Sequence, residues 1–186
     1  MTNPFPNDST GHYPQGSFST VQQDTARFEV QKPRREMVED WFCGPLSEMS
    51  KDRHSAFVVM MVSIALYEKY LRYSTAMKEG DKFSDSAKAF ELMASEFGIK
   101  KEDCFGFWQD WRNGLLHKAM PKIERFPGGY EMSGDFERAL HVKGDKLEIN
   151  PWKFRDVVVE KIRSNGKMWN DEESPLAKIV KITKVK

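Results

Sequence analysis

Trp108-Gln109-Asp110-Trp111-Arg112-Asn113-Gly114-Leu115-Leu116-His117-Lys118-Ala119-Met120-Pro121 is the stretch on which the reading of this chain turns. Phe105, Trp108, Trp111, Leu115 and the adjacent Leu116 form an apolar stripe at helical spacing, so residues 101–120 read as one amphipathic helix. Pro121 stops it, because proline lacks an N–H and disfavours helical geometry at the residue before it. Near that end stand Arg112, Asn113 and His117, which have no packing role in the stripe.

Upstream, the apolar periods give three more helices. Residues 34–43 carry Met37, Val38, Trp41 and Phe42 at helical spacing, and Gly44-Pro45 is expected to break that helix. Ser50 is read as the cap of a long helix over 51–77. Its first half (Phe57 to Ile64) is apolar nearly all round, which predicts a place in the middle of a bundle. Its second half, with Tyr67, Glu68 and Tyr70, turns amphipathic; these three could line a cleft or form the edge of the core. Ser84 caps a helix over 85–97, which Gly98 closes as its C′ residue.

After Pro121 the period becomes two. Residues 130–133, 136–143 and 146–150, separated by Gly134-Asp135 and Gly144-Asp145, read as a three-stranded antiparallel meander. Glycine at the first central position suits a type II′ turn. Pairing across Gly144-Asp145 sets Val142 opposite Leu147 and Leu140 opposite Ile149, with all four on one face. Asn150-Pro151 then starts a helix over 151–169, with Asn as cap and Pro at its first position. The fold expected is mainly α, a helical bundle with a small β meander inserted after the motif helix. Residues 1–33, rich in Pro, Gly, Ser, Thr and Asn, read as an extended or partly disordered arm; Phe5, Tyr13, Phe18 and Phe28 could pin it to the body or to a second copy, and a disordered tail is the slightly favoured alternative. The domain proper spans 34–170, and 171–186 is a basic tail.

Composition narrows the function classes. Hydrophobic residues are 39% and charged residues 31% of the 186, and the formal net charge of +1 argues against a wholesale polybasic nucleic-acid binder. Twelve Lys and Arg against seven Asp and Glu from Arg138 onward leave room for a local phosphate track, with Lys118 and Lys122 beside the motif, or equally for a solvated face. Cys43 and Cys104 have no metal-ligand spacing and suit a reduced, cytoplasmic protein. No signal peptide is read, because the N-terminus has neither a basic lead nor an apolar run, and no membrane span, because the apolar run from Ala56 to Leu66 falls short of the roughly 18 residues a span needs. Gly-rich phosphate loops, Cys/His metal clusters and Ser-centred nucleophile motifs are missing, so no cofactor and no metal are expected. His12, His54 and His141 have no partners by spacing, and the Met60-Met61 pair reads as core.

On an ideal helix, at about 100° per residue, Arg112 and His117 stand about 140° apart, whereas Asn113 and His117 share a face. Two copies crossing head to head would bring both arginines and both histidines into one cleft, and Gly114 fits the close approach of a second backbone. Histidine plus arginine without a metal suits attack on phosphate: the imidazole moves a proton and the guanidinium holds phosphoryl oxygens and developing charge. The competing structural reading pairs Arg112 with a carboxylate on a neighbouring helix and leaves His117 to cap the helix C-terminus.

Arg112-Asn113-Gly114-Leu115-Leu116-His117 resembles the Arg-polar-x-x-x-His signature of the HEPN domains, and the surrounding helices, over residues 34–170, resemble that family's compact bundle. The resemblance implies a homodimer with the motif at the interface and a metal-independent endoribonuclease of toxin, abortive-infection or phage-defence type, acting on RNA. In it His117 would be the acid/base, Arg112 the phosphate and transition-state binder, and Asn113 the orienting residue. A regulatory or antitoxin protein is a possible partner. Some toxins of the family carry a tyrosine two residues after the histidine, which the antitoxin modifies; Ala119 stands there, so the resemblance does not extend to that regulation. The alternatives are a non-catalytic HEPN-like module binding nucleotide, RNA or protein, and a purely structural bundle.

Overall fold

Helix formation follows the apolar periods, but two of the helices are wound in an unexpected way. The computed structural model describes residues 34–165 and Met168, apart from Glu79, Ala119 and Ile123. All of these fall in a single unit, Lys32–Ile179. The N-terminal arm and the basic tail lie outside the described residues.

Helix α1 (Arg34–Val38) does not end at Gly44-Pro45. It passes through a π turn (Glu39–Cys43) into α2 (Gly44–Glu48). Pro45 cannot donate a backbone bond. The wider turn sends the Gly44 amide back to the Glu39 carbonyl, and the rod continues with Pro45 in the first turn of α2. The buried Arg155 guanidinium then donates to the Leu46 and Met49 carbonyls, at 3.3 and 3.4 Å, where that rod ends.

Helix α3 (Ala56–Ser74) begins later than Ser50 suggested. The Asp52 carboxylate accepts from the His54 and Ser55 amides at 2.8 and 3.0 Å, holding 52–55 in a local turn that competes with helix. The helix is not sheathed all round: Val59, Met60, Ile64, Tyr67 and Leu71 are buried, while Phe57 and Val58 are 37% and 47% exposed. After a 3₁₀ turn (Phe83–Asp85), α4 (Ala87–Phe97) is capped not by Ser84 but by Ser86, whose hydroxyl accepts from the Ala89 amide, and it is closed by left-handed Gly98 as expected. Helix α5 (Lys101–Phe107), a second π turn (Trp108–Arg112) and α6 (Asn113–Lys118) form the motif rod.

The sheet corrects the meander. Strands β1 (Tyr130–Met132), β2 (Leu140–Lys143) and β3 (Lys146–Ile149) are ordered β1-β3-β2. The β2–β3 hairpin has the expected register, Val142 opposite Leu147 and Leu140 opposite Ile149, and Gly144 takes φ +64° in its turn. Strand β1 pairs with β3 in parallel, not with β2. A period of two fixes which way a strand faces but not which neighbour it meets. Here Asn150 decides: its Nδ2 donates to the Gly134 and Phe136 carbonyls, both at 2.8 Å, so 133–139 is a tethered crossing loop and not a hairpin. The Asn150 Oδ1 also accepts from the Trp152 and Lys153 amides and caps α7 (Pro151–Ser164).

Helix α7 packs along α3. Fully buried Phe154 meets the rings of Tyr67, Phe97 and Phe107, with centroids 5.8, 5.0 and 5.7 Å away, so one side chain joins α3, α4 and α5 to α7. The molecule is thus mainly helical with a small three-stranded mixed sheet. Among the described residues no helix is long and apolar enough to cross a membrane.

Candidate active site

The motif rod is fixed in rotation by its two tryptophans. Trp108 stacks on Phe83 with centroids 4.1 Å apart, and Trp111 lies between Phe57 and Phe107, at 6.1 and 6.2 Å. Between these anchors the rod is wound as a π turn, closed by the Asn113 amide on the Trp108 carbonyl. Such turns add a residue to the winding and often occur at functional sites.

Arg112 leaves this turn towards α3. Its Nε donates to Glu68 Oε2 at 2.9 Å and its Nη2 to Oε1 at 3.2 Å, a two-pronged pair with a carboxylate that is 8% exposed. Arg72 Nε donates to the same Oε1 at 2.9 Å. Burial alone would raise the Glu68 pKa, but hydrogen bonds from Arg112 and Arg72 and their charges outweigh it and hold the carboxyl below its ordinary value. The remaining Arg112 nitrogen, Nη1, donates to Asn113 Oδ1 at 3.0 Å and stands 3.1 Å from His117 Nε2. A guanidinium can only donate, so this contact is a hydrogen bond in the neutral ring tautomer that carries its hydrogen on Nδ1 and leaves Nε2 to accept. Asn113 is oriented in turn by its Nδ2 bond to Gln109 Oε1, at 2.9 Å.

Arg112, Asn113 and His117 therefore come together within one chain. The expectation that Arg112 lies off to the side, needing a second copy to meet a histidine, does not hold. The stretch from Asn113 to His117 is α-wound, and what the ideal wheel ignored is the reach of an arginine side chain. Gly114 is also reassigned. A Cβ there would lie 2.5 Å from the Met120 carbonyl oxygen, 2.6 Å from Pro121 Cα and 2.8 Å from the Lys122 amide nitrogen, so the close backbone is the chain's own. The carboxylate partner that the structural reading required is present as Glu68.

Sequence reasoning missed two elements of the site. Glu68 was singled out only as a possible cleft residue, and its i, i+4 spacing to Arg72 was the available signal. Asp110 was passed over, although a carboxylate between two tryptophans of an apolar stripe is a signal in itself. It is 1% exposed, and its Oδ2 accepts from the Glu124 and Arg125 amides at 3.0 and 2.9 Å and from the Tyr130 hydroxyl at 2.5 Å. Its carbonyl takes the Lys122 amide at 2.9 Å. Burial, then the Asp110 bond, push the Tyr130 hydroxyl far above its ordinary pKa. Asp110 thus straps the chain after Pro121 back onto the motif rod.

Among the described residues, several of the late basic residues are paired with carboxylates. Lys143 and His141 meet Glu148, Lys146 meets Glu131, Lys161 meets Glu96, Arg163 meets Glu39 and Lys122 meets Glu124. The His141–Glu148 pair was implicit in the hairpin register, which sets these residues opposite each other. Tyr67 and Tyr70 both donate to Glu96, at 2.5 and 2.7 Å, as part of the core edge. A separate cleft of about 550 Å³ is lined by Ser84, Phe90, Lys101, Phe105 and Arg125 among others and contains neither Arg112 nor His117. Among the described residues no group of three or more His, Cys, Asp or Glu side chains could hold a metal ion. Compared with family models, curated proteins and solved structures, the chain has no match.

Proposed function

We propose that this chain is an endoribonuclease of HEPN type, built on a HEPN-like helical bundle, with Arg112, Asn113 and His117 as its site. The observation that carries the reading is the 3.1 Å contact between Arg112 Nη1 and His117 Nε2 at the exposed end of the motif rod. A histidine ring nitrogen beside a fixed cation is the pairing that phosphodiester transfer uses. His117 Nε2 takes the proton of a ribose 2′-hydroxyl. The 2′-oxygen bonds to phosphorus and the bond to the 5′-oxygen breaks. His117 returns the proton to that oxygen, and the other product ends in a 2′,3′-cyclic phosphate. Arg112 stays forked on Glu68, and once His117 Nε2 has taken up the proton, the Nη1 hydrogen that faced it serves the phosphoryl oxygens and the charge that builds on them. Asn113 holds that nitrogen in place. The reading includes a homodimer that draws two such sites together, for which light scattering should give twice 21.6 kDa.

A second reading, a non-catalytic module that binds nucleotide, RNA or protein, is favoured by one observation: three of the Arg112 contacts already go to Glu68 and Asn113. Cleavage of single-stranded RNA in the presence of EDTA separates the two. His117→Ala is expected to lose about 10²–10⁴-fold in rate. Arg112→Ala is expected to lose about 10²–10³-fold, as when an oxyanion donor is removed. DNA, which lacks the 2′-hydroxyl, should be left intact. Wild-type inactivity across a broad RNA panel would move the assignment to the binding module. Unfolding of both variants by circular dichroism would make the pair structural.

A further inference from the structure

Glu68 serves two guanidinium groups with one carboxylate. Arg72 Nε and Arg112 Nη2 both donate to its Oε1, at 2.9 and 3.2 Å, so the two cations lie side by side. Neutralising a buried carboxylate needs one cation; the second leaves the trio with a net positive charge. Arg72 is also held more firmly than an exposed i, i+4 pair would be. Its Nη1 donates to the Asp81 carbonyl at 3.1 Å, and its guanidinium sits over the Phe83 ring, 5.7 Å from the centroid. Among the described residues, the next acid along the chain after Arg72 is Asp81, whose carboxylate is turned onto the Lys78 amide at 2.7 Å. Nη2 of Arg72 has no protein acceptor among the described residues. Its side chain is 27% exposed, much like that of Arg112 at 23%.

We propose that Arg72 is a second phosphate-contacting residue, so that Arg72 and Arg112 together hold the phosphodiester backbone of single-stranded RNA across Glu68. This rests on the ribonuclease reading. The two arginines divide the task. Arg112 stands against His117 and acts where the bond is cut. Arg72, on the next turn of α3 from Glu68, tethers the strand beside it. Glu68 sets the balance: it fixes both forks and lowers the attraction of the pair for an anion.

The test uses the full chain carrying His117→Ala, which binds without turnover, and reads anisotropy of a fluorescein-labelled uridine oligoribonucleotide over a range of KCl. Adding Arg72→Gln should weaken binding about tenfold at low salt and make the slope of log K against log salt shallower by about 0.7, the value for one phosphate contact on a single strand. Arg72→Lys should restore the slope. Glu68→Gln, which removes the neutralising charge, should tighten binding and steepen the slope in this background. In the His117 protein the same change should lower the cleavage rate, because Arg112 loses its fork. Binding by the parent with Kd and slope unchanged in Arg72→Gln would overturn the role of Arg72 and leave the ribonuclease reading standing. Failure of the parent to bind any RNA would overturn both. If Arg72→Gln does not fold, Glu68→Gln decides, and unchanged or weaker binding there overturns the proposal.

Discussion

Substituting Gly114 with alanine discriminates two ideas of what that glycine does. In isolation the change should stabilise, because alanine gains about 1 kcal/mol of helix propensity over glycine. The structure reverses the sign. The new methyl carbon would fall 2.5 Å from the Met120 carbonyl oxygen, 2.6 Å from Pro121 Cα and 2.8 Å from the Lys122 nitrogen. All three are backbone atoms, so no rotamer change relieves the overlap. Overpacking of this kind costs about 1–3 kcal/mol. Pushing the segment away also loosens the Lys122 amide from the Asp110 carbonyl and the Glu124 and Arg125 amides from its carboxylate, bonds worth about 0.5–1.5 kcal/mol each. Set against the propensity gain, the expected net destabilisation is about 2–4 kcal/mol. For a chain of this length that lowers Tm by about 5–15 °C. Urea unfolding of Gly114→Ala, followed by tryptophan fluorescence, measures it at several protein concentrations. The loss should not depend on concentration, since the contact lies within one chain. Unchanged or raised stability, or a loss that appears only as the protein is diluted, would refute the intrachain account and return Gly114 to an interface between copies.

The Glu68 carboxyl, held below its ordinary 4.5 because two guanidiniums outweigh its burial, contributes stability that is complete above that value and is lost as pH falls through the lower folded value. Acid titration of unfolding should therefore be flatter below pH 4.5 in Glu68→Gln than in wild type; superimposable curves would remove the linkage. Burial, then Glu39, push the Cys43 thiol up to about 11, and burial pushes Cys104 up to about 12, so neither should react with a disulfide reagent at neutral pH until the protein unfolds. A fast thiol in the native protein would contradict that burial. Asn150→Ala removes a helix cap and leaves the Gly134 and Phe136 carbonyls without their donor, which should cost about 3 kcal/mol in urea unfolding. A cost under about 1 kcal/mol would mean that the crossing loop holds itself.

Helices, their apolar faces and the β2–β3 register were legible because each follows from a local period or a turn signal. Asn150-Pro151 and Gly98 are local signals too, and both act as read. The errors concern interactions between distant residues. Choice of β1's neighbour depends on where the Asn150 amide reaches, sixteen residues from Gly134. Arg112 meets Glu68 across forty-four residues, and no spacing rule links them. Even within one rod the wheel failed, since Pro45 and the Trp108–Trp111 pair are accommodated by π turns that a fixed angular step cannot represent. Arg112, Asn113 and His117 lie together in one chain, where the wheel had set Arg112 apart from the other two.

The Trp108–Arg112 π turn makes chain length an aiming device. One residue more than an α-turn needs is wound into it, so the stretch after it is indexed in angle against the stretch before. Removing a single residue there closes the π turn to an α turn, and Asn113, Gly114 and His117 keep their direction. Removing one from the regular stretch Asn113–Lys118 has no spare residue to draw on, so every later side chain swings by about 100°. Along this rod, two one-residue deletions a few positions apart therefore differ in kind: one is absorbed by the winding, and the other alters where the terminal turn points.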